Sequence, residues 1–147
     1  MIIAVDFDGT IVEHRYPKIG KPIPFAIEVL LKLHQERHTL ILWTVREGEL
    51  LQEAIDYCAS KGLTFYAHNA NFPEEEISTA SRKLTADLFI DDRNLGGLPD
   101  WGSIYKAIVA MRHGEKDIVS VLYNLRGVQK SGYGKKGGLF ASLFGNR

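Results

Sequence analysis

Three short apolar runs in this chain each stop at a side chain able to hold a charge or a hydrogen bond. Ile2 to Val5 ends at Asp6, Thr39 to Trp43 ends at Thr44, and Leu88-Phe89-Ile90, closing an expected strand over Ala86 to Ile90, ends at Asp91-Asp92. Continuous apolar runs of this length suit strands covered on both faces, as in parallel sheets. Leu63 to Ala67 reads as one more strand of the same kind. Helical patterns lie between the runs. After Pro24, which can open a helix at its first turn, Ile27, Leu30 and Leu31 have helical spacing. Leu51, Ala54, Ile55 and Cys58 form an i, i+3, i+4, i+7 stripe, and Gly62 is placed to stop that helix. Glu74-Glu75-Glu76 suggests a short helical turn before Arg82-Lys83; Ile104, Ile108 and Met111 mark a further helix, and Ile118, Leu122 and Leu125 another. Strands alternating with helices predict an α/β fold, a three-layer, doubly wound parallel sheet. Ligands of such sheets bind beyond the carboxyl ends of the strands, where Asp6, Thr44 and Asp91 stand.

The 147 residues are enough for one ordinary domain, expected over residues 1–126. Lys plus Arg and Asp plus Glu are 18 each, so net charge points to neither a nucleic-acid coat nor a membrane surface. No apolar run is long enough to cross a bilayer, and Met1-Ile2-Ile3-Ala4-Val5-Asp6 reaches an acid too soon for a signal peptide. The one cysteine, Cys58, has no partner for an internal disulfide and sits in a helical stripe, as a core residue would. These features fit a soluble, cytoplasmic protein. From Gly127 the composition turns to Gly, Lys and Ser before Leu139-Phe140-Ala141-Ser142-Leu143-Phe144, which predicts a flexible tail over 127–147 with a short apolar end.

Asp6-Phe7-Asp8-Gly9-Thr10 places two carboxylates at a strand end, with a glycine that lets the chain turn. Phosphoryl transfer needs a nucleophile, a proton donor for the leaving oxygen and a cation against phosphate charge, and two such acids with their carbonyls can serve all three needs. The structural alternative is an acidic strand end that caps the next helix. Thr44 could donate to a phosphoryl oxygen or could cap a helix. Lys83 offers a fixed positive charge or a solvated surface. Asp91-Asp92 puts like charges side by side at a buried-strand end, and a divalent cation would relieve the repulsion.

Taken in order, Asp6-x-Asp8-Gly9-Thr10, Thr44, Lys83 and Asp91-Asp92 resemble the four motifs of the haloacid dehalogenase (HAD) superfamily, over residues 1 to about 112. The resemblance implies a Rossmann-like core and a Mg²⁺-dependent phosphatase acting on a phosphate monoester. In that scheme Asp6 is the nucleophile that becomes an aspartyl phosphate, and Asp8 protonates the leaving group and then deprotonates water. Mg²⁺ would be held by Asp6, the Asp8 backbone carbonyl and Asp91; Asp92 would hold a metal-bound water or orient Lys83. Thr44 and Lys83 would bind phosphoryl oxygens, with Arg82 competing for the role of Lys83. The acid at Asp8 disfavours dehalogenation, because halide leaves without a proton.

Few residues separate Asp8 from the second strand, so only a flap, roughly Val12 to Ile23, fits there, and the chain resembles capless members of the superfamily. Such members tend to use an open site on a macromolecule or to borrow a lid from a neighbouring subunit, which makes a homo-oligomer a candidate state and leaves a small metabolite or a macromolecular end as the phosphorylated substrate. Thr44-Val45-Arg46-Glu47 and Ile90-Asp91-Asp92-Arg93-Asn94 are similar to the phosphatase domain of polynucleotide kinase-phosphatases, and by that analogy Arg46 is a substrate-binding candidate, against a solvent-facing helix start. A polynucleotide 3′-phosphatase-like activity and a catalytically weak binding module on the same scaffold are the alternatives. His14, Arg15, Lys18 and Lys21 lie in the flap; His68, Asn69 and Asn71 could rim the same mouth; Trp43 and Trp101 read as packing residues.

Overall fold

A computed structural model of the chain describes residues 1–76, 78 and 80–125. The expected tail over 127–147 lies outside the described residues. Two compact units divide the chain, Met1–Lys106 and Ala107–Arg147.

The first unit holds an open sheet of four parallel strands: β1 (Ile2–Val5), β2 (Thr39–Leu42), β3 (Ala67–His68) and β4 (Leu88–Ile90), in the order β3-β2-β1-β4. The α/β architecture expected from the alternation of apolar runs and helical stripes is the one observed. Ile3, Ala4, Val5, Leu40, Ile41 and Leu42 are all buried. Central strands covered on both faces have no polar side to show, hence the unbroken apolar runs.

Helix α1 (Ala26–Gln35) connects β1 to β2, and α2 (Gly48–Ser60) connects β2 to β3. Pro24 stands two residues before α1, and the buried stripe is Ala26, Leu30 and Leu33, with Ile27 and Leu31 half-buried beside it. In α2, Ala54 and Cys58 are buried. Burial pushes the Cys58 thiol up to about 12, so it is an inert core residue. Gly62, at φ 79°, donates its N–H to the Ala59 carbonyl, and Leu63 donates to Cys58. That pair of bonds is a left-handed helix stop, which suits the residue without a Cβ.

The third strand differs from expectation. Leu63 is buried, but it belongs to the stop of α2, and pairing begins only where Tyr66 N–H donates to Leu40 O at 2.8 Å and ends where Asn69 N–H donates to Leu42 O at 2.8 Å. β3 therefore pairs only with the last two residues of β2, Ile41 and Leu42. β4 likewise starts at Leu88 rather than Ala86, and β2 ends at Leu42, one residue before Trp43. No helix forms over Glu74–Glu76 among the described residues. Glu75 N–H closes a turn on Phe72 O, and the Glu75 carboxylate accepts hydrogen bonds from Asn71, which hold it below the usual carboxylate range.

Between β1 and α1 the chain folds into a flap. Glu13 N–H donates to Lys21 O, Ile23 N–H donates to Ile11 O, and Val12 pairs antiparallel with Pro22. After β4, α3 (Trp101–Arg112) begins in the first unit and ends in the second. In the second unit, α4 (Ile118–Leu125) starts with Asp117 Oδ1 accepting the Ser120 N–H. No described helix is long and apolar enough to cross a membrane.

Candidate active site

The strand order turns at β1. The chain winds outward through β2 to β3 and returns to lay β4 on the other side of β1. The crevice beyond the carboxyl ends of the two strands at such a turning point is where open α/β sheets bind ligands. Asp6 directly follows β1, and Asp91 and Asp92 directly follow β4. One carboxylate oxygen from each of Asp6, Asp91 and Asp92 lies within 4.8 Å of the others, and all three residues are half-buried.

Thr10 ties the cluster together. Its buried hydroxyl donates to Asp6 Oδ2 at 3.0 Å and accepts the Asp92 N–H at 3.0 Å. The Thr10 carbonyl in turn accepts Trp101 Nε1–H at 3.0 Å, so Trp101 is a packing residue that also anchors the motif loop. Gly9 makes the close approach of the loops feasible. At φ 93° it has a backbone that other residues avoid, and a Cβ there would collide with the Asp92 carboxylate.

This cluster is electrostatically under-compensated. Burial, reinforced by the charges of Asp91 and Asp92, raises Asp6 to about 6, against the lowering effects of the Phe7 N–H and the Thr10 hydroxyl. Asp92 is raised by its burial and then by Asp91, and its Oδ1 is buried with no hydrogen-bond partner. Three oxygen donors in mutual repulsion, one of them orphaned, fit a hard divalent cation such as Mg²⁺. The cluster contains neither His nor Cys, the donors that softer metals prefer.

Asp8 is in the opposite condition. Arg46 Nε donates to Asp8 Oδ2 at 2.6 Å and Arg46 Nη2 donates to Oδ1 at 2.8 Å, a two-point ion pair with Arg46 fully buried. The same guanidinium donates to the Pro17 carbonyl at 2.9 Å and the Lys18 carbonyl at 3.1 Å, and it lies between the Phe7 and Tyr16 rings. The hydrogen bonds to Asp8 hold Arg46 charged more firmly than usual. Both expectations for Arg46 therefore need correction. It is neither solvent-facing nor open to substrate; it precedes α2, turns inward, and joins Asp8 to the flap.

Thr44 follows the end of β2 without capping α2, whose N-cap residue is Glu47. Its Oγ1 accepts the Arg46 N–H at 3.2 Å. Asp6, Asp8, Thr44 and Asp91 share the wall of one cleft of about 210 Å³ with His14, Trp43, Val45 and Arg93. His14 Nδ1 is 3.4 Å from the Asp8 carbonyl. Lys83 does not line this cleft; it is exposed, with Nζ 5.4 Å from the centre of the Phe89 ring, and Phe89 packs edge-on against Trp43 at 5.0 Å. Arg82 is exposed as well. Arg93 and Val45 are lining residues that the sequence reading gave no role, and Trp43 is both packing residue and wall. The position of Arg93 immediately after Asp92 at a strand end was the available signal.

An open parallel α/β domain with a carboxylate-lined cleft at its topological turning point is the class that fold and site define. No protein-family model matches the chain, and no curated protein matches it. Among solved structures, a conserved protein from Bacteroides thetaiotaomicron is 60% identical, covering 84% of this chain and 97% of its own, with a TM-score of 0.74. The chain belongs to the family of that protein. A D,D-heptose 1,7-bisphosphate phosphatase from B. bronchiseptica, solved with magnesium and phosphate, is 16% identical over 78% of this chain and 64% of its own, with a TM-score of 0.38. A superposition that loose is no argument for shared chemistry.

Proposed function

We propose that this protein is a Mg²⁺-dependent phosphohydrolase of the HAD type that cleaves a phosphate monoester through an aspartyl phosphate on Asp6. The observation that carries this reading is the convergence of Asp6, Asp91 and Asp92 within 4.8 Å at the turning point of the sheet, with an orphaned Asp92 oxygen. Those carboxylates, with the Asp8 carbonyl, would hold Mg²⁺, which when bound offsets phosphate charge and the repulsion among the acids.

Asp6 attacks phosphorus, the P–O ester bond breaks, and the leaving oxygen takes a proton. Water then attacks the phosphorus of the acyl phosphate, freeing inorganic phosphate and restoring Asp6. The Thr10 hydroxyl on Oδ2 fixes the plane of the nucleophile, so that its other oxygen faces the reacting atom. Asp8 handles the proton in both half-reactions. Arg46 holds Asp8 at the cleft wall; Asp8 enters the first half-reaction protonated, giving up one of its two N–H contacts, passes that proton to the leaving oxygen, and regains one from the attacking water. The Thr44 hydroxyl donates to a phosphoryl oxygen. Two cations are available for the remaining charge: Arg93 at the cleft, and Lys83 on a flexible stem behind Phe89 and Trp43.

Among the described residues, 9–25 and 69–87 contain no helix, which supports a capless site open to the surface. The polynucleotide-end alternative drew on the likeness at residues 44–47 and 90–94 with Arg46 as substrate binder, and the buried ion pair of Arg46 with Asp8 gives that role no support. Hydrolysis of p-nitrophenyl phosphate tests the assignment. Turnover should require Mg²⁺, stop with chelator, and fall by at least about 10³-fold in Asp6→Asn, in line with loss of a covalent nucleophile. Undiminished turnover in that variant would remove Asp6 from the chemistry.

A further inference from the structure

The turn that carries Thr44 is bridged by the side chain of Asn69, the residue that directly follows β3. Asn69 Oδ1 accepts the Thr44 N–H at 2.8 Å, and Asn69 Nδ2 donates to the Arg46 carbonyl at 3.3 Å. The amide therefore closes a bridge over residues 44–46, from a position 25 and 23 residues away in sequence. The backbone of Asn69 is fixed too, because its N–H donates to Leu42 O at 2.8 Å, the last rung between β2 and β3. At φ 51° it occupies the left-handed region, which Asn tolerates better than most residues and Gly better still.

Conformation alone would explain a glycine here. It does not explain a side chain that spends both its acceptor and a donor on one turn. Within that turn Thr44 Oγ1 already accepts the Arg46 N–H, so the hydroxyl proton is left for an acceptor in the cleft that Thr44 lines. Arg46 anchors the far end of the turn through its side chain, but Val45 at the tip is 67% exposed, and without the Asn69 bridge the Thr44 end could rotate this hydroxyl away.

We propose that Asn69 is a positioning residue, which clamps the 44–46 turn so that the Thr44 hydroxyl is aimed at the phosphoryl group. The kinetic consequence rests on the phosphohydrolase reading; the clamp itself does not. It works through hydrogen bonds to backbone on both sides of Thr44 and makes no contact with the reacting atoms.

The informative variant is Asn69→Gly, which keeps the backbone conformation and deletes only the amide. Two measurements on the full chain separate the claims. In amide hydrogen exchange, the segment containing Thr44 should exchange about tenfold faster in Asn69→Gly, the scale of one lost hydrogen bond, while the central strands keep their protection. Unchanged exchange at Thr44 would overturn the clamp. In p-nitrophenyl phosphate hydrolysis with Mg²⁺, kcat should fall about 10- to 100-fold with KM within about threefold, as for a misaimed rather than missing contact. Asn69→Gly combined with Thr44→Val should be no slower than Thr44→Val alone. Multiplying losses would show that Asn69 acts independently of Thr44 and would contradict the positioning role. A wild-type protein without hydrolytic activity but with the exchange effect would sink the phosphohydrolase reading and with it the catalytic purpose of the clamp, leaving the clamp as a structural device.

Discussion

The two sides of the cleft treat their carboxylates in opposite ways. On the β1–β4 side, Asp6, Asp91 and Asp92 crowd together with no arginine side chain bonded to them among the described residues, Asp6 is pushed to about 6, and one Asp92 oxygen has no partner. On the flap side, two residues along the chain from Asp6, Asp8 has both oxygens on a buried guanidinium. A fold that neutralises one acid with its own arginine could have neutralised the others in the same way. Holding three of them in repulsion costs stability, and the scaffold that does so, Gly9, Thr10 and Trp101, is specific. The contrast separates an acid that the protein pairs with its own arginine from acids that it leaves in mutual repulsion.

The largest effect that can break this comparison is on the completed side. Arg46→Ala strands a buried Asp8 carboxylate and cuts the flap from its anchor on the Pro17 and Lys18 carbonyls. Urea unfolding should report a loss of about 3–5 kcal/mol, the usual consequence of removing one partner from a buried pair. A loss near that of an exposed ion pair, under about 1 kcal/mol, would mean that the pair is not sealed from water.

Next is the tie within the open cluster. Thr10→Val keeps the shape but leaves the Asp92 N–H without its acceptor and removes the side-chain donor to Asp6, leaving it the Phe7 N–H. The expected loss is about 1–3 kcal/mol, together with slower turnover. A neutral substitution would show that the two strand ends are held by other means.

How much of this could be read beforehand divides along the same line. The unbroken apolar runs announced β1 and β2, and the acids after β1 and β4 announced the cluster, because a sheet that is buried on both faces leaves charged groups only its ends. Arg46 was legible as a cation near Thr44 but not as the partner of Asp8. That pairing spans 38 residues and depends on how the flap folds back, which no local pattern encodes. The place of Lys83 was missed for a similar reason: order along the chain matched the motif, whereas the side chain lies on Phe89, outside the cleft wall. The short β3 reflects an edge position whose register is chosen by β2, and Leu63 was apolar for the sake of a helix stop. The clamp by Asn69 needed three dimensions, since its two partners lie on the preceding strand's loop.

The most gradual predicted effect is on the pH dependence of stability without metal. An acid whose folded pKa is raised favours the folded state most when protonated, so the Asp6 contribution is present in full below about 3.8 and is lost as pH rises through about 6. Asp92 acts in the same direction. In chelator, Asp6→Asn should therefore melt progressively higher than the wild type between these pH values, and added Mg²⁺ should raise the wild type and not the variant. Parallel melting curves for the two proteins across that range would show that Asp6 is not strained by its surroundings.

The central claim is that the unsatisfied acids at the ends of β1 and β4 form a cation site. Crystals grown with Mn²⁺, a scatterer that substitutes for Mg²⁺ on oxygen ligands, test it directly by anomalous diffraction. The account predicts one strong peak bounded by the side chains of Asp6, Asp91 and Asp92. An empty cluster at saturating Mn²⁺, or a peak elsewhere on the molecule, would contradict it.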